Sequence, residues 1–294
     1  MPRITQRYER SAGTHPVSFS YMPELPELEA VRIRFAPRLA GRTVEAVEVN
    51  PRKGFLLRVP LQTFTGELPG REISGLWRRG KHLVFDLESG ADCGRLVINP
   101  MLGGRFQITP SGAKRPAAVI FSLLLDGAEE LRYLDSRDMG RVYWVRDLDK
   151  EVPAWPELGP EAGSLPDQGL DWFRKRLRRY RAALKDILRD QAFLAGIGNA
   201  YSDEILFEAK VLPLRRRSSL SAEDEEALFQ AISGVLDRAT QAILANPDYE
   251  ESKQDRSFMA VHGRGGQACP RCGHRISQIG SDREPMNFCR GCQR

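Results

Sequence analysis

No run of apolar residues in this 294-residue chain is long enough to cross a bilayer, and the first twenty-one residues lack the apolar core of a signal peptide. Internal repeats and long low-complexity tracts are missing too, which argues against a solenoid or a fibrous chain. Cysteine is scarce, with five in all, and nothing else suggests secretion. The chain is expected to be soluble, monomeric and, if bacterial, cytoplasmic. Acidic residues fall short of basic ones, 39 against 44, giving a net charge of +5 and a pI near 9.0. That balance favours a polyanionic partner without specifying one.

What is present is organised around Met22-Pro23-Glu24-Leu25-Pro26-Glu27-Leu28-Glu29. If translation starts at Met22 and the initiator is removed, Pro23 becomes a free secondary amine. Inside a chain its nitrogen is a tertiary amide, whereas a terminal amine titrates near pH 8 and can attack an electrophilic sugar carbon. Pro26 suits a first helical turn, and Leu28, Val31, Phe35 and Leu39 step along one face of a helix that Gly41 ends. Glu24 and Glu27, three apart, then lie together, and a proton donor beside a nucleophile is what breaking a glycosidic bond needs. Glutamates also gather in first turns because the helix dipole favours them, so either acid alone carries little weight.

Short apolar and β-branched runs follow at 43–49, 82–88, 95–99, 118–125, 130–134 and 141–145, a spacing that predicts an antiparallel sandwich or barrel. Proline, glycine and glutamate dominate 151–170, which reads as a linker. Helices are predicted over 171–190, 200–209 and 221–244, the last opening on a Ser221 and Asp224 capping pattern. The resulting division is an extension over 1–21, disordered or untranslated, a catalytic sandwich over 22–150, the linker, a helical domain over 171–255 and a finger over 256–294.

The finger rests on Cys269-x2-Cys272 and Cys289-x2-Cys292, sixteen residues apart. Two such knuckles make a tetrahedral thiolate site for one structural zinc ion, with disulfides as the alternative. Four cysteines leave no open position for water, so the metal would supply folding energy rather than chemistry. Cys93 reads as a small core residue. Residues 174–181 carry six cations interleaved with aromatics, either a solvated helix face or a surface that tracks a nucleic-acid backbone. Gly196-Ile197-Gly198-Asn199 is a weaker signal: Asn199 could cap a helix, or the turn could present N–H groups to a phosphate.

The octapeptide, the RRGKHL stretch around Lys81, Leu158-Gly159-Pro160-Glu161, GIGNAYSDEILF and the terminal cysteines together resemble the formamidopyrimidine-DNA glycosylase and endonuclease VIII family from Met22 to Arg294. The resemblance implies an α+β fold: an N-terminal antiparallel β-sandwich with a leading helix, a helix-two-turn-helix domain, a zinc finger, and duplex DNA in the cleft between. It implies a bifunctional glycosylase and AP lyase that flips out and excises oxidised bases. Pro23 is then the nucleophile, Glu24 the general acid and base, Glu27 a support for the lesion pocket, and Lys81 a phosphate contact that assists catalysis. Lys185 would sit near the flipped base and Asn199 would hold a phosphate. Leu102 and Met139 would fill the void left by the base, and Arg137 would reach the orphan base. Two departures stand out. Asp138 replaces a phosphate-binding arginine, and Glu284 occupies the finger's clamping position with Arg283 one residue earlier, so either a bulge re-aims Arg283 or the clamp is weaker. A preference for oxidised pyrimidines and a non-catalytic damage-binding role remain as alternatives.

Overall fold

The computed structural model describes residues 22–246, 255–281 and 284–294. The expectations for residues 1–21 and for Arg283 lie outside them. A helix, α1 (Leu25–Leu39), leads, with Pro26 in its first turn and Gly41 just past its end in the left-handed region at φ +76°. Its apolar stripe of Leu28, Val31, Phe35 and Leu39 is buried in the core that the two sheets share. One sheet has the order β1-β6-β7-β5, from β1 (Val44–Val49), β5 (Gly104–Pro110), β6 (Val119–Leu125) and β7 (Glu129–Asp135). The other, β2-β3-β4-β8, comprises β2 (Glu72–Arg79), β3 (His82–Ser89), β4 (Asp92–Asn99) and β8 (Arg141–Val145). Every pairing in both is antiparallel. A short helix α2 (Leu61–Glu67) adds Phe64 to the same core.

The expected sandwich is therefore present, although two of its strands escaped the apolar runs. In β2 the register shifts between Ile73 and Gly75, and β5 carries polar residues on its open face, so neither shows a clean alternation. Cys93 is half-buried near the start of β4, not a core residue, because that end of the strand lies at an exposed hairpin.

Residues 151–170 are a packed strap rather than an extended spacer. Following α3 (Leu148–Glu151), Val152, Trp155 and Ala162 are buried, as is Leu165 in α4 (Leu165–Gln168). Trp155 meets Trp77 edge-on, and Glu161 accepts from Arg78, Arg79 and the Gly80 amide.

The helix expected over 171–190 is broken into α5 (Leu170–Leu177) and α6 (Leu184–Arg189). Tertiary bonds override propensity here: the Leu184 and Lys185 amides donate to Arg215 and Pro213 carbonyls, while Tyr180 packs edge-on against Phe193. Then come α7 (Asn199–Glu208) and α8 (Ala222–Ala245), the latter with the Ser221 and Asp224 capping box in place. A hairpin of β9 (Ser277–Ser281) and β10 (Glu284–Phe288) closes the chain. No helix among the described residues is long and apolar enough to cross a membrane.

One helix joins the halves. Leu25 lies in the helical core and Leu28, three residues on, in the sandwich core. The Leu25 amide donates to the Gly196 carbonyl at 3.0 Å. Gly196 has φ +108°, and a Cβ there would come within 2.9 Å of Leu25, so both conformation and contact require glycine.

Candidate functional site

The N-terminus of α7 points at Glu24. Its carboxylate is 2% exposed and accepts the amides of Gly198, Ala200 (2.9 Å) and Tyr201 (3.5 Å). The amides expected to suit a phosphate thus hold a carboxylate, a partner that the helix dipole equally favours. A Cβ on Gly198 would overlap the Glu24 carboxyl and lie 2.6 Å from Lys81 Nζ, so glycine here allows acid and amine to meet. Asn199 does not cap the helix. Gly198 is the N-cap, and the Asn199 side chain donates to the Pro285 carbonyl at 2.9 Å, tying α7 to the finger.

Glu27 stands beside Glu24 and accepts its amide at 3.0 Å. It also takes the Tyr201 hydroxyl (3.1 Å) and Arg256 (2.8 Å), while Arg256 donates to the Met22 carbonyl at 3.0 Å. Lys81, half-buried at the start of β3, lies 3.9 Å from the Met22 sulfur. Burial pushes its ammonium below the usual lysine range. Glu24 and Glu27 oppose that, and Arg189 and Arg256 reinforce it. Pro23 is buried between Met22 and Glu24. Tyr201 and Arg256 were not singled out in the sequence. Tyr201 sits within GIGNAY, but nothing local marks Arg256, whose partner is 229 positions away.

These groups open onto a cleft of about 760 Å³ walled by Met22, Glu24 and Lys81, by His82, Asn99 and Leu102 of the sandwich, and by Arg189, Asn199 and Pro285 opposite. Leu102 is on this wall, and pairing of Gly104 with Asp135 brings its turn against the loop carrying Arg137 and Met139. That loop is clasped by one buried carboxylate, Asp135, which accepts the amides of Arg137, Asp138, Met139 and Gly140 at 2.6–3.0 Å. Met139 is 42% exposed and Arg137 also faces solvent. Asp138 is paired with Lys53 at 2.7 Å, which offsets its charge.

Other expectations fall elsewhere. Lys185 is 2% exposed and bonded to Asp203, and it stands directly behind the cleft-lining Asn199, to whose carbonyl it donates at 3.3 Å. No residue of 174–181 lines the cleft: Arg174 meets Glu225, and Arg176 donates to the Phe193 carbonyl and stacks on Trp172. The four finger cysteines converge with every Sγ within 4.8 Å of the others. Separations of 3.8 Å (Cys269–Cys292) and 3.5 Å (Cys272–Cys289) are far too long for disulfides. They match the roughly 3.8 Å edge of a tetrahedron with metal–sulfur bonds of about 2.3 Å. The set therefore fits a thiolate-bound metal.

A sandwich and a helical domain facing one another across a cleft, with a four-thiolate hairpin on the far wall, define a helix-two-turn-helix protein with a finger. Residues 22–142 match the formamidopyrimidine-DNA glycosylase N-terminal domain, and residues 158–245 match that family's H2TH domain. Proteins named formamidopyrimidine-DNA glycosylase from Heliobacterium modesticaldum and Carboxydothermus hydrogenoformans are 36% and 34% identical, each over 93% of this chain and all of the relative. Two crystal structures of the Lactococcus lactis glycosylase, one with abasic-site DNA and one a variant with formamidopyrimidine DNA, superpose with TM-scores of 0.79 and 0.81. Both are 28% identical and cover 92% of this chain, spanning 99% and 100% of their own. The chain belongs to the formamidopyrimidine-DNA glycosylase family.

Proposed function

We propose that this DNA glycosylase flips an oxidised purine, formamidopyrimidine or 8-oxoguanine, out of duplex DNA into the cleft, excises it, and nicks the strand at the abasic site. The observation that carries the reading is the convergence of Glu24, Glu27 and Lys81 beside Pro23 at the foot of that cleft. A free Pro23 nitrogen would attack the sugar's C1′. The glycosidic electron pair leaves with the base and the nitrogen loses its proton; the C1′–O4′ bond then breaks, its electron pair leaving on O4′, which takes a proton delivered through Glu24, and an iminium links protein and ring-opened sugar. Loss of a C2′ proton then expels the 3′-phosphate. Glu27 keeps Glu24 in place through its amide, and Lys81 supplies positive charge to the phosphate beside the lesion. Leu102 and Met139 are apolar enough to fill the vacated stack, with Arg137 beside them for the orphan base, and Asn199 is near enough to the cleft to share a phosphate. Lys185 supports this wall from behind through Asp203. The finger would hold one zinc ion through Cys269, Cys272, Cys289 and Cys292, which folds the hairpin and does no chemistry. We assign the protein to the bacterial cytoplasm as a monomer.

A second reading, damage binding without turnover, is favoured by one feature: with Met22 attached, Pro23 is an amide and the Met22 side chain lies against Lys81. One comparison separates the two. Protein beginning at Pro23 should form a borohydride-stable adduct with duplex DNA bearing an abasic site, and Glu24→Gln should lower base excision about 10²–10⁴-fold. No adduct from the Pro23 form would leave only binding. Excision of thymine glycol but neither purine lesion would move the substrate assignment to oxidised pyrimidines.

A further inference from the structure

Three cations line the cleft among the described residues: Lys81, Arg189 and Arg256. Two have interior partners. Lys81 faces Glu24 and Glu27, and Arg256 is bonded to Glu27 and the Met22 carbonyl. Arg189 differs. It ends α6, and its guanidinium is one-third exposed and pairs at the cleft rim with Glu284 of β10 at 3.2 Å. Glu284 is 63% exposed, and such surface pairs contribute little net stability. A guanidinium has five donors in a planar fork, and one exposed carboxylate oxygen leaves most of them unused, whereas a phosphate takes two at once.

We propose that Arg189 is a DNA-phosphate contact of this cleft and that Glu284 is a counter-ion which the backbone displaces on binding. The inference rests on the reading that duplex DNA occupies the cleft. The location supports it. Arg189 is close enough to Lys81 for its charge to disfavour the lysine ammonium, so an anion between the two would relieve that repulsion. The other acids on this wall, Glu24, Asp186 and Asp190, leave the mouth poor in free positive charge, which makes the exchangeable cation matter more. Glu284 also sits where the finger was expected to carry a clamp, so the clamping charge would come from the neighbouring helix α6.

The test is the salt dependence of binding to a duplex containing an uncleavable abasic-site analogue. Wild type should lose about three- to fourfold more affinity than Arg189→Ala between about 50 and 200 mM salt, a slope difference near 1, and Arg189→Lys should keep the wild-type slope. Glu284→Ala should bind at least as tightly as wild type. If Arg189→Ala keeps the full slope, or if Arg189→Ala and Glu284→Ala weaken binding equally and the double variant no further, the pair is a strut between α6 and the finger and the proposal falls. Wild type that does not bind the duplex overturns the cleft reading itself, an outcome distinct from unchanged slopes in a binding protein.

Discussion

The sandwich and the finger both face the cleft, yet they are held there by opposite means. The sandwich positions Leu102 and the loop of 136–140 on its own core: two sheets enclose Phe85, Phe106, Phe121 and Tyr133, and Asp135 at the edge of that core binds four amides of one loop. Among the described residues the finger has no comparable interior. Its apolar cluster is Val261, Cys269, Ile276 and Cys289 with Phe207 of α7, and two of those five are candidate metal ligands. Much of the rest of its support comes from α7. Glu204 accepts the amides of Ala260, Val261 and His262 at 2.8 Å, and Asp203 accepts the Asn287 amide and His262. One helix thus holds Glu24 with its first turn and the finger with its middle. The precision of one wall is intrinsic, and that of the other rests on four converging cysteines and a neighbouring helix.

Removing the metal should break this comparison most visibly. Structural zinc in finger peptides contributes about 10–16 kcal/mol of apparent binding energy, so chelation or Cys272→Ser should unfold residues 260–294 and abolish damaged-duplex binding. Hydrogen exchange should show amide protection lost in β9 and β10 and kept in β3, β4, β6 and β7. Equal loss in both regions would mean that the sandwich is not self-supporting. Asp203→Asn is the next largest effect. It leaves Lys185 buried without its anion, a change that costs about 3–5 kcal/mol, and takes a charged acceptor from Asn287 and His262. Urea unfolding should register that loss, with exchange at Asn287 accelerating before any sandwich amide.

Local chemistry explains which parts of this were legible in the sequence. The thiolate spacing and the Glu24 and Glu27 spacing both encode geometry within a few residues, and both appear where the pattern puts them. The break between α5 and α6 depends on carbonyls some thirty residues away, and periodicity carries no trace of such a partner. Arg256, Asp203 and His262 are likewise defined by partners 18–229 positions distant, so none is marked by its own local sequence. Asn199 was ambiguous because a helix start can be capped from outside, and here the cap comes from Glu24, 174–177 positions earlier.

The smallest effect tests the sandwich wall alone. His82 follows Lys81 and lines the cleft. Its Nε2 accepts from Asn99 Nδ2 at 3.1 Å, which leaves Nδ1–H to donate to the Arg79 carbonyl at 3.3 Å. Trp155 packs edge-on against the ring, and Asn99 Oδ1 accepts the Met101 amide, so the histidine links the strap to the turn that carries Leu102. Burial pushes its pKa down to about 4, with Arg141 and Arg79 reinforcing the shift and the Arg79 carbonyl and Glu161 opposing it. Because the unfolded chain takes up the proton near 6.5, the folded state binds fewer protons between those values. Stability is therefore full above about pH 6.5 and falls as the pH drops toward 4, by about 2 kcal/mol at pH 5. Carboxylates held below their usual range, such as Glu29 and Glu130, add their losses only in stronger acid. Urea unfolding of wild type and His82→Gln between pH 7 and 5 should show that slope in the first and a flatter line in the second. Parallel curves would mean that His82 already carries a proton in the fold, and the neutral link between Trp155 and the Leu102 turn would have to be abandoned.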